Sequence, residues 1–324
     1  MSFARTILMP AAVVAVMTMS VAVPDAQAGD SISVGKAVPF AWPITPIDIA
    51  IQKGIMTKHG FDNVKIFGFA GDAKMQQGLL AKDIEFGLGS GPGFAFNAKG
   101  GAGIGVCAYY DAPYSLGISM PYDSPITKVE QLKGKKLGVT TVGSLTEWLA
   151  EHLSQHLGWG TTGLTAVALG GLPAELAALR THQVDGLVTA TEVDIPLEDK
   201  KELRQIYNFG DLLPHFITEA VFARKDLVKS NPDMVRRFVA AWIETLDFIR
   251  TNKAETVDIS AKVLNQTPAN ISRVYDYEKK GFNWDCSFDP QAIALLDQTF
   301  IEMHLLDSKP ADDQLYTAEF LPKK

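Results

Sequence analysis

Ser144 lies in the run Gly143-Ser144-Leu145-Thr146-Glu147, where its hydroxyl invites a nucleophilic reading. A serine nucleophile needs a base and an orienting acid within hydrogen-bond reach. No G-x-S-x-G turn frames Ser144, and a helix start accounts for it: Ser144 caps the helix and Glu147, three residues on, completes a capping box. His152 and His156 are spaced like a zinc-binding His pair, but that pair comes as H-E-x-x-H. Here the run is His152-Leu153-Ser154-Gln155-His156, with no base between the histidines, so a solvated helix face is expected. Glu147 and Glu151 share that helix and read as surface carboxylates. Gly100, Gly101, Gly103 and Gly105 look suited to phosphate, but no Walker lysine follows. The spacing that begins at Gly91 and Gly93 fails the dinucleotide fingerprint because Phe96 stands where the third glycine belongs. No catalytic residue, metal ligand set or cofactor motif is therefore expected, and the chain is read as a binder and not an enzyme.

Binding needs less. A helix start presents free N–H groups and the positive end of the helix dipole. Thr141 to Leu145 supplies such a start directly after a strand, and Ser90-Gly91 offers the equivalent earlier in the chain. In open α/β sheets, ligands bind beyond the carboxyl ends of the strands. Two such edges facing one another make a clamp. Aromatic residues crowd the first side: Phe40, Trp42, Phe94, Tyr109, Tyr110 and Tyr114. Core packing accounts for most of them. Trp42 stands in a loop rich in proline (Pro39, Pro43, Pro46), and for it core packing and ligand contact are both open.

The elements that would position these residues alternate. Strands are expected at Ser31–Val34, Val64–Phe69, Ile84–Leu88, Ile104–Tyr109 and Leu116–Met120, with helices over Pro46–His59 and from Asp72 to Lys82, where Asp72 is a candidate cap. A second unit follows: strands at Lys136–Thr140, Thr165–Leu169 and Val184–Thr189, a helix from Ser144 and a short one over Pro173–Arg180. Strands separated by helices imply βαβ units and a largely parallel sheet. A weak internal repeat aligns Leu79 with Leu179, Ile84 with Val184, Glu85 with Asp185 and Leu88 with Val188, followed by polar loops at Ser90-Gly91 and Thr191-Glu192. Beyond Glu219 the pattern is mostly helical, with Phe238, Trp242, Leu246 and Ile249 on one stripe and Pro232 at a helix start.

Composition narrows the class. The chain is 47% hydrophobic and 21% charged, which places it among folded globular proteins, and its length suits two lobes. Lys and Arg total 30 against 37 for Asp and Glu, a net charge of −7, which excludes nucleic acid as a partner. Arg5, an apolar stretch from Ile7 to Val23 and the Ala26-Gln27-Ala28 site form a secretory signal peptide over residues 1–28. Cleavage would remove Arg5 and Asp25 together and leave the net charge at −7. No Cys stands at the cleavage point for a lipid anchor. Cys107 and Cys286 allow at most one disulfide, and whether they meet is open.

Five segments, in this order, carry a family resemblance: Pro46-Ile47-Asp48-Ile49-Ala50-Ile51-Gln52-Lys53-Gly54; Gln76 to Gly87; Ile126 to Val139 followed by Gly143-Ser144; Ala178-Leu179 through Gln183-Val184-Asp185-Gly186; and Asn231-Pro232-Asp233-Met234-Val235. The chain resembles the periplasmic substrate-binding proteins of ABC transporters, in the family that serves nitrate, sulfonate, taurine and thiamine-pyrimidine precursors. Gln183 and Gln131 depart from its pattern, outside ligand contacts. The resemblance implies an α/β, bilobal periplasmic-binding-protein fold of type II, the Venus flytrap, with two βαβ lobes and a ligand cleft between them. Lobe one would comprise 29–115 and the mostly helical 215–324, and lobe two 116–214. It implies a periplasmic monomer that captures a small-molecule solute by hinge closure and hands it to a transporter permease, with no cofactor and no metal. The ligand loops carried over are Phe40 to Thr45, Ser90-Gly91, Thr141 to Leu145 and Thr189 to Glu192, giving Phe40, Trp42, Ser90, Gly91, Thr141, Ser144, Leu145 and Glu192 as ligand-binding candidates. Enzymatic relatives with a Cys-rich motif are disfavoured because that cluster is absent. A cleft-facing Glu192 would take an amine or ring N–H and repel a bare anion; a solvent-facing Glu192 is equally open. The ligand classes are an amine-bearing, heteroaromatic or sulfonate-like solute. The alternatives are a ligand-sensing module for a receptor and an enzyme on the same fold.

Overall fold

The computed structural model describes residues 29–39, 41–69, 71–142 and 144–323. The expected leader at 1–28, the ligand candidate Phe40, and Gly143 lie outside the described residues. In chain order, β1 (Asp30–Lys36) leads through α1 (Pro46–Gln52) to β2 (Phe61–Gly68), and α2 (Asp72–Ala81) leads to β3 (Phe86–Ser90) and β4 (Gly103–Tyr110). The middle holds β5 (Leu116–Pro121), β6 (Lys136–Val139), α3 (Leu145–His156), β7 (Thr165–Ala168), α4 (Leu172–Arg180), β8 (Gly186–Ala190), α5 (Thr191–Asp199) and β9 (Leu203–Asn208). After β10 (Glu219–Arg224) the larger helices are α6 (Pro232–Thr251), the helix Lys253–Val263, α7 (Pro268–Glu278) and α8 (Pro290–Glu302).

Ten strands form two five-stranded sheets, ordered β2-β1-β3-β10-β4 and β7-β6-β8-β5-β9. The two orders share one plan. Three parallel strands come first, the fourth position is reversed, and the fifth pairs antiparallel to it. The sheets are therefore mixed and not largely parallel. The reversal follows from the route: the chain leaves the first sheet after Tyr110, builds the second, and returns at Glu219. The stretch beyond Glu219 is mostly helical as the pattern implies, but it opens with a strand, Glu219–Arg224, wedged between β3 and β4. Ala220, Val221, Phe222 and Ala223 are all fully buried. A short apolar run with no alternation suits a strand covered on both faces, and periodicity alone does not separate it from buried helix.

The internal repeat has a backbone counterpart. Lys82 and His182 both adopt the left-handed conformation at the end of their helices. Asp83 N–H donates to Gly78 C=O at 3.0 Å, and Gln183 N–H to Ala178 C=O at 2.9 Å. Glu85 then accepts from Ser33 N–H and Asp185 from Lys136 N–H, each at 2.8 Å, so each copy ties its acid to the neighbouring strand.

The predicted stripe on α6 packs on the first sheet. Phe238 stacks on Phe86 at 3.8 Å between ring centroids, and Trp242 meets Tyr109 edge-on at 5.0 Å. Cys107 in β4 is disulfide-bonded to Cys286, with the Cα atoms 4.6 Å apart. No helix among the described residues is long and apolar enough to cross a membrane.

Candidate functional site

Strand direction gathers the candidate residues at two facing edges. In the first sheet, β1 and β3 run parallel and end at Lys36 and Ser90, while Glu219 at the start of β10 pairs with both Ser90 and Tyr110. In the second, β6 and β8 run parallel and end before Thr141 and Thr191. The crossings 111–115 and 209–218 join these edges.

The edges meet at Glu192. Sequence pattern gave Thr191-Glu192 as a loop, but these residues open helix α5, which turns Glu192 inward; it is 4% exposed. Its Oε1 accepts the main-chain N–H of Trp42 at 3.2 Å, and its C=O accepts from Gln266 Nε2 at 2.8 Å. Burial pushes the Glu192 carboxyl up to about 7, against the pull of its own N–H and that of Trp42. The Glu278 carboxyl, at the end of α7, lies close enough to Glu192 for each to influence the other's protonation. Burial, with Glu192 and Glu219 adding to it, drives Glu278 well above the usual carboxylate range. Glu219 is driven up in the same way by burial and by Asp72 and Glu192. No N–H or O–H of the protein reaches Glu192 Oε2, Glu219 Oε2 or either carboxyl oxygen of Glu278.

Trp42 is 1% exposed and lies edge-on to Tyr275 and Phe282, with ring centroids 5.8 and 5.4 Å away, while its Nε1 has no partner. Ser90 donates from both N–H and Oγ to Asp72, at 2.8 and 2.7 Å. Asp72 thus holds Ser90 and does not cap its helix, where Gly71 is the flanking residue. Gly91 N–H donates to Thr218 C=O at 3.2 Å. An anion would therefore find the lobe-one helix start already occupied by a carboxylate and a carbonyl. Thr141 is exposed and Leu145 half-buried; Ser144 Oγ accepts from Glu147 N–H at 3.3 Å and contacts Thr146 Oγ1 at 2.9 Å. The structure brings Trp42 and Glu192 into direct contact and sets Ser90 beside Glu219. Thr141, Ser144 and Leu145 sit at the parallel edge of lobe two with their own local partners.

Glu219, Glu278, Asp72 and Tyr109 escaped the sequence reading as site residues. Tyr109 and Tyr110 stood out as aromatics, but carboxylates on a strand start and a helix end look like ordinary surface residues in sequence. Only their burial distinguishes them, and that is a tertiary fact. Tyr110 Oη donates to the Glu278 C=O at 3.0 Å. Burial and the nearby Glu219 and Asp72 raise the Tyr109 phenol well above its ordinary value, and its hydroxyl has no partner. His152 is not on a solvated face: it stacks on Trp148 at 4.7 Å and lies 3.7 Å from Glu302. Among the described residues no cluster of three or more His, Cys, Asp or Glu has the arrangement to hold a metal ion. A separate groove of about 670 Å³ lies beside the two crossings, lined by Asp111, His215, Asn283 and Asp289 among others.

The family model described as NMT1/THI5 like matches residues 43–256 of this 324-residue chain. The chain belongs to the NMT1/THI5-like family. A Brucella abortus (strain 2308) protein named only as a binding protein is 26% identical over 239 residues, covering 71% of this chain and 70% of its own. The NMT1/THI5-like chain has the periplasmic-binding-protein fold. It matches the periplasmic aliphatic sulphonate binding protein SsuA from Escherichia coli with a TM-score of 0.75 and 18% identity, over 91% of this chain and 94% of that one. The alkanesulfonate-binding protein SsuA from Xanthomonas axonopodis pv. citri, bound to MOPS, gives 0.73 and 17%, over 88% and 98%. The desulfurization enzyme DSZB shares the fold at 0.66 and 18%, over 90% and 97%.

Proposed function

We propose that this NMT1/THI5-like protein is a periplasmic, monomeric solute-binding protein that captures an amine-bearing or heteroaromatic solute between its lobes and delivers it to an ABC importer. The observation that carries this reading is the buried Glu192 carboxyl, held between lobes by the Trp42 N–H with one oxygen left without a donor. A buried carboxyl without a donor costs free energy until a partner supplies an N–H. The neighbours named for sulfonates carry the fold, but the carboxyls gathered here would repel a sulfonate. The same site offers a solute hydrogen-bond acceptors, which suits capture.

A thermal-shift screen of the purified chain tests this against amines, pyrimidines, aromatic acids, taurine, nitrate and alkanesulfonates. A solute at about 1,000 times its Kd stabilises by about 4 kcal/mol, and each kcal/mol moves Tm by roughly 2–4 °C at this size. Stabilisation by amines or N-heterocycles is the expected result. Stabilisation by sulfonates alone would keep capture and retire the role given to Glu192. Turnover of a bound compound would replace capture with catalysis.

A further inference from the structure

We infer that the carboxyls of Glu192, Glu219 and Glu278 form a charge gate, which lets the lobes close over an organic cation and holds them apart over an uncharged or anionic isostere. This rests on the capture reading and adds to it the solute's charge and the signal for closure.

The three carboxyls come from three elements: α5 in lobe two, and β10 and α7 in the chain that follows it. Glu192 and Glu278 are 4% and 0% exposed, and Glu219 is half-buried with its Oε2 enclosed. The charges acting on Glu278 are those of Glu192 and Glu219, and on Glu219 those of Asp72 and Glu192. Groups facing the triad from every other packed element are also acidic or phenolic. They are Asp194 on α5, Asp72 on α2, Tyr109 and Tyr110 on β4, and Tyr277 on α7. Lys36, at the end of β1, is committed to Asp48. Like charges in a desolvated site cannot all ionise. The empty cleft therefore closes only with protons on these carboxyls, and a solute that brings its own positive charge replaces them.

A second observation, on a group that is not a carboxyl, points to a ligand. The Tyr109 hydroxyl is wholly buried, lies under the influence of Glu219 and Asp72, and has no acceptor. It adds a donor to a ring of acceptors. The fitting solute is a small cation with at least two N–H groups for the orphan carboxyl oxygens; an acceptor atom opposite Tyr109 would tighten it further. Where the carboxyls are protonated, closure over it releases their protons to solvent.

Small-angle scattering of the chain, unfolded and refolded to strip any bound solute, tests the gate. Without ligand, the chain should be compact at about pH 5 and expanded at about pH 8.5, on either side of the perturbed carboxyl range. Glu219→Gln/Glu278→Gln should be compact at both. At the higher pH, methylguanidinium should contract the wild type, while its neutral isostere N-methylurea and methanesulfonate should not. The gate is overturned by a wild type of one size at both pH values or by a double variant that expands like the wild type. Contraction with N-methylurea or methanesulfonate, or with none of the three probes, overturns it too. These failures leave solute capture standing if a screened compound still stabilises the refolded chain. A chain that no screened compound stabilises and no probe contracts loses the capture reading and the gate together.

Discussion

The main-chain N–H of Trp42 donates to Glu192 Oε1 at 3.2 Å, joining residues 150 apart in sequence and on opposite lobes. The bond ties the two halves of the molecule together through Glu192. Glu192→Gln keeps an acceptor for Trp42 but loses the charge. It should retain the fold and weaken binding of an amine solute about 10- to 100-fold, in line with roughly 1.5–3 kcal/mol for a hydrogen bond to a charged group. Calorimetric titration with the compound selected by the thermal screen reads this directly. Unchanged affinity would mean that the solute does not touch Glu192.

Stability should fall as pH rises through neutrality. Burial pushes Glu192 and Asp111 up to about 7 and Asp194 to about 6. A carboxyl whose folded pKa is raised contributes stability that is complete below its unfolded pKa and is lost as pH climbs through the folded one. The window is therefore about pH 4 to 7, with a slope of up to roughly 1.4 kcal/mol per pH unit for each proton involved. Asp226, lowered to about 2 by Lys82 and Arg224, acts in the opposite sense at acid pH, but it is exposed and screened. Urea unfolding of the solute-free chain at pH 5 and pH 8 should give the higher free energy at pH 5; the reverse order would show that these carboxyls ionise without penalty.

The Cys107–Cys286 bond closes a loop with a sequence separation of 179. Chain-entropy reasoning gives about 5 kcal/mol for a loop of that size. Cys107→Ser/Cys286→Ser should therefore show a much lower urea midpoint than the oxidised chain. Both cysteines are wholly buried, so a reductant should act slowly on the native protein and quickly in urea. Equal midpoints for variant and parent would show that the cross-link constrains little in the unfolded chain.

Gly91 is required by contact and not by backbone angle. A Cβ there would lie 2.0 Å from the Ile217 carbonyl oxygen, which belongs to the returning crossing. Gly91→Ala must push the crossing away and should cost about 1–3 kcal/mol, as overpacking does. A Tm equal to that of the parent would show that the hinge moves freely at this point.

Much of the scaffold was legible because its signals are local. Ser144 accepts from Glu147 N–H as the cap spacing implied, and the copies about Leu79 and Leu179 share turn geometry as well as residue type. The family resemblance supplied the bilobal plan. The illegible parts depend on what the chain meets later. Val221 and Phe222 have no period because both faces of β10 are covered. Glu192 looked like part of a loop because Pro196, inside its helix, masked the pattern. Glu278 carries no sequence mark at all; its burial arises only when α7 packs against α5, where Arg273 pairs with Asp199 at 2.7 Å.

The wedge position of β10 also sets an order of assembly. The second sheet is built from one uninterrupted stretch, Leu116 to Asn208, whereas the first lacks the strand between β3 and β4 until Glu219–Arg224 has emerged. During synthesis, lobe two is thus the earliest unit able to complete itself, while β1 to β4 wait with two unsatisfied strand edges. Such edges are where chains mispair or aggregate. The amino-terminal half of lobe one is thus the client that a holding chaperone would have to shield.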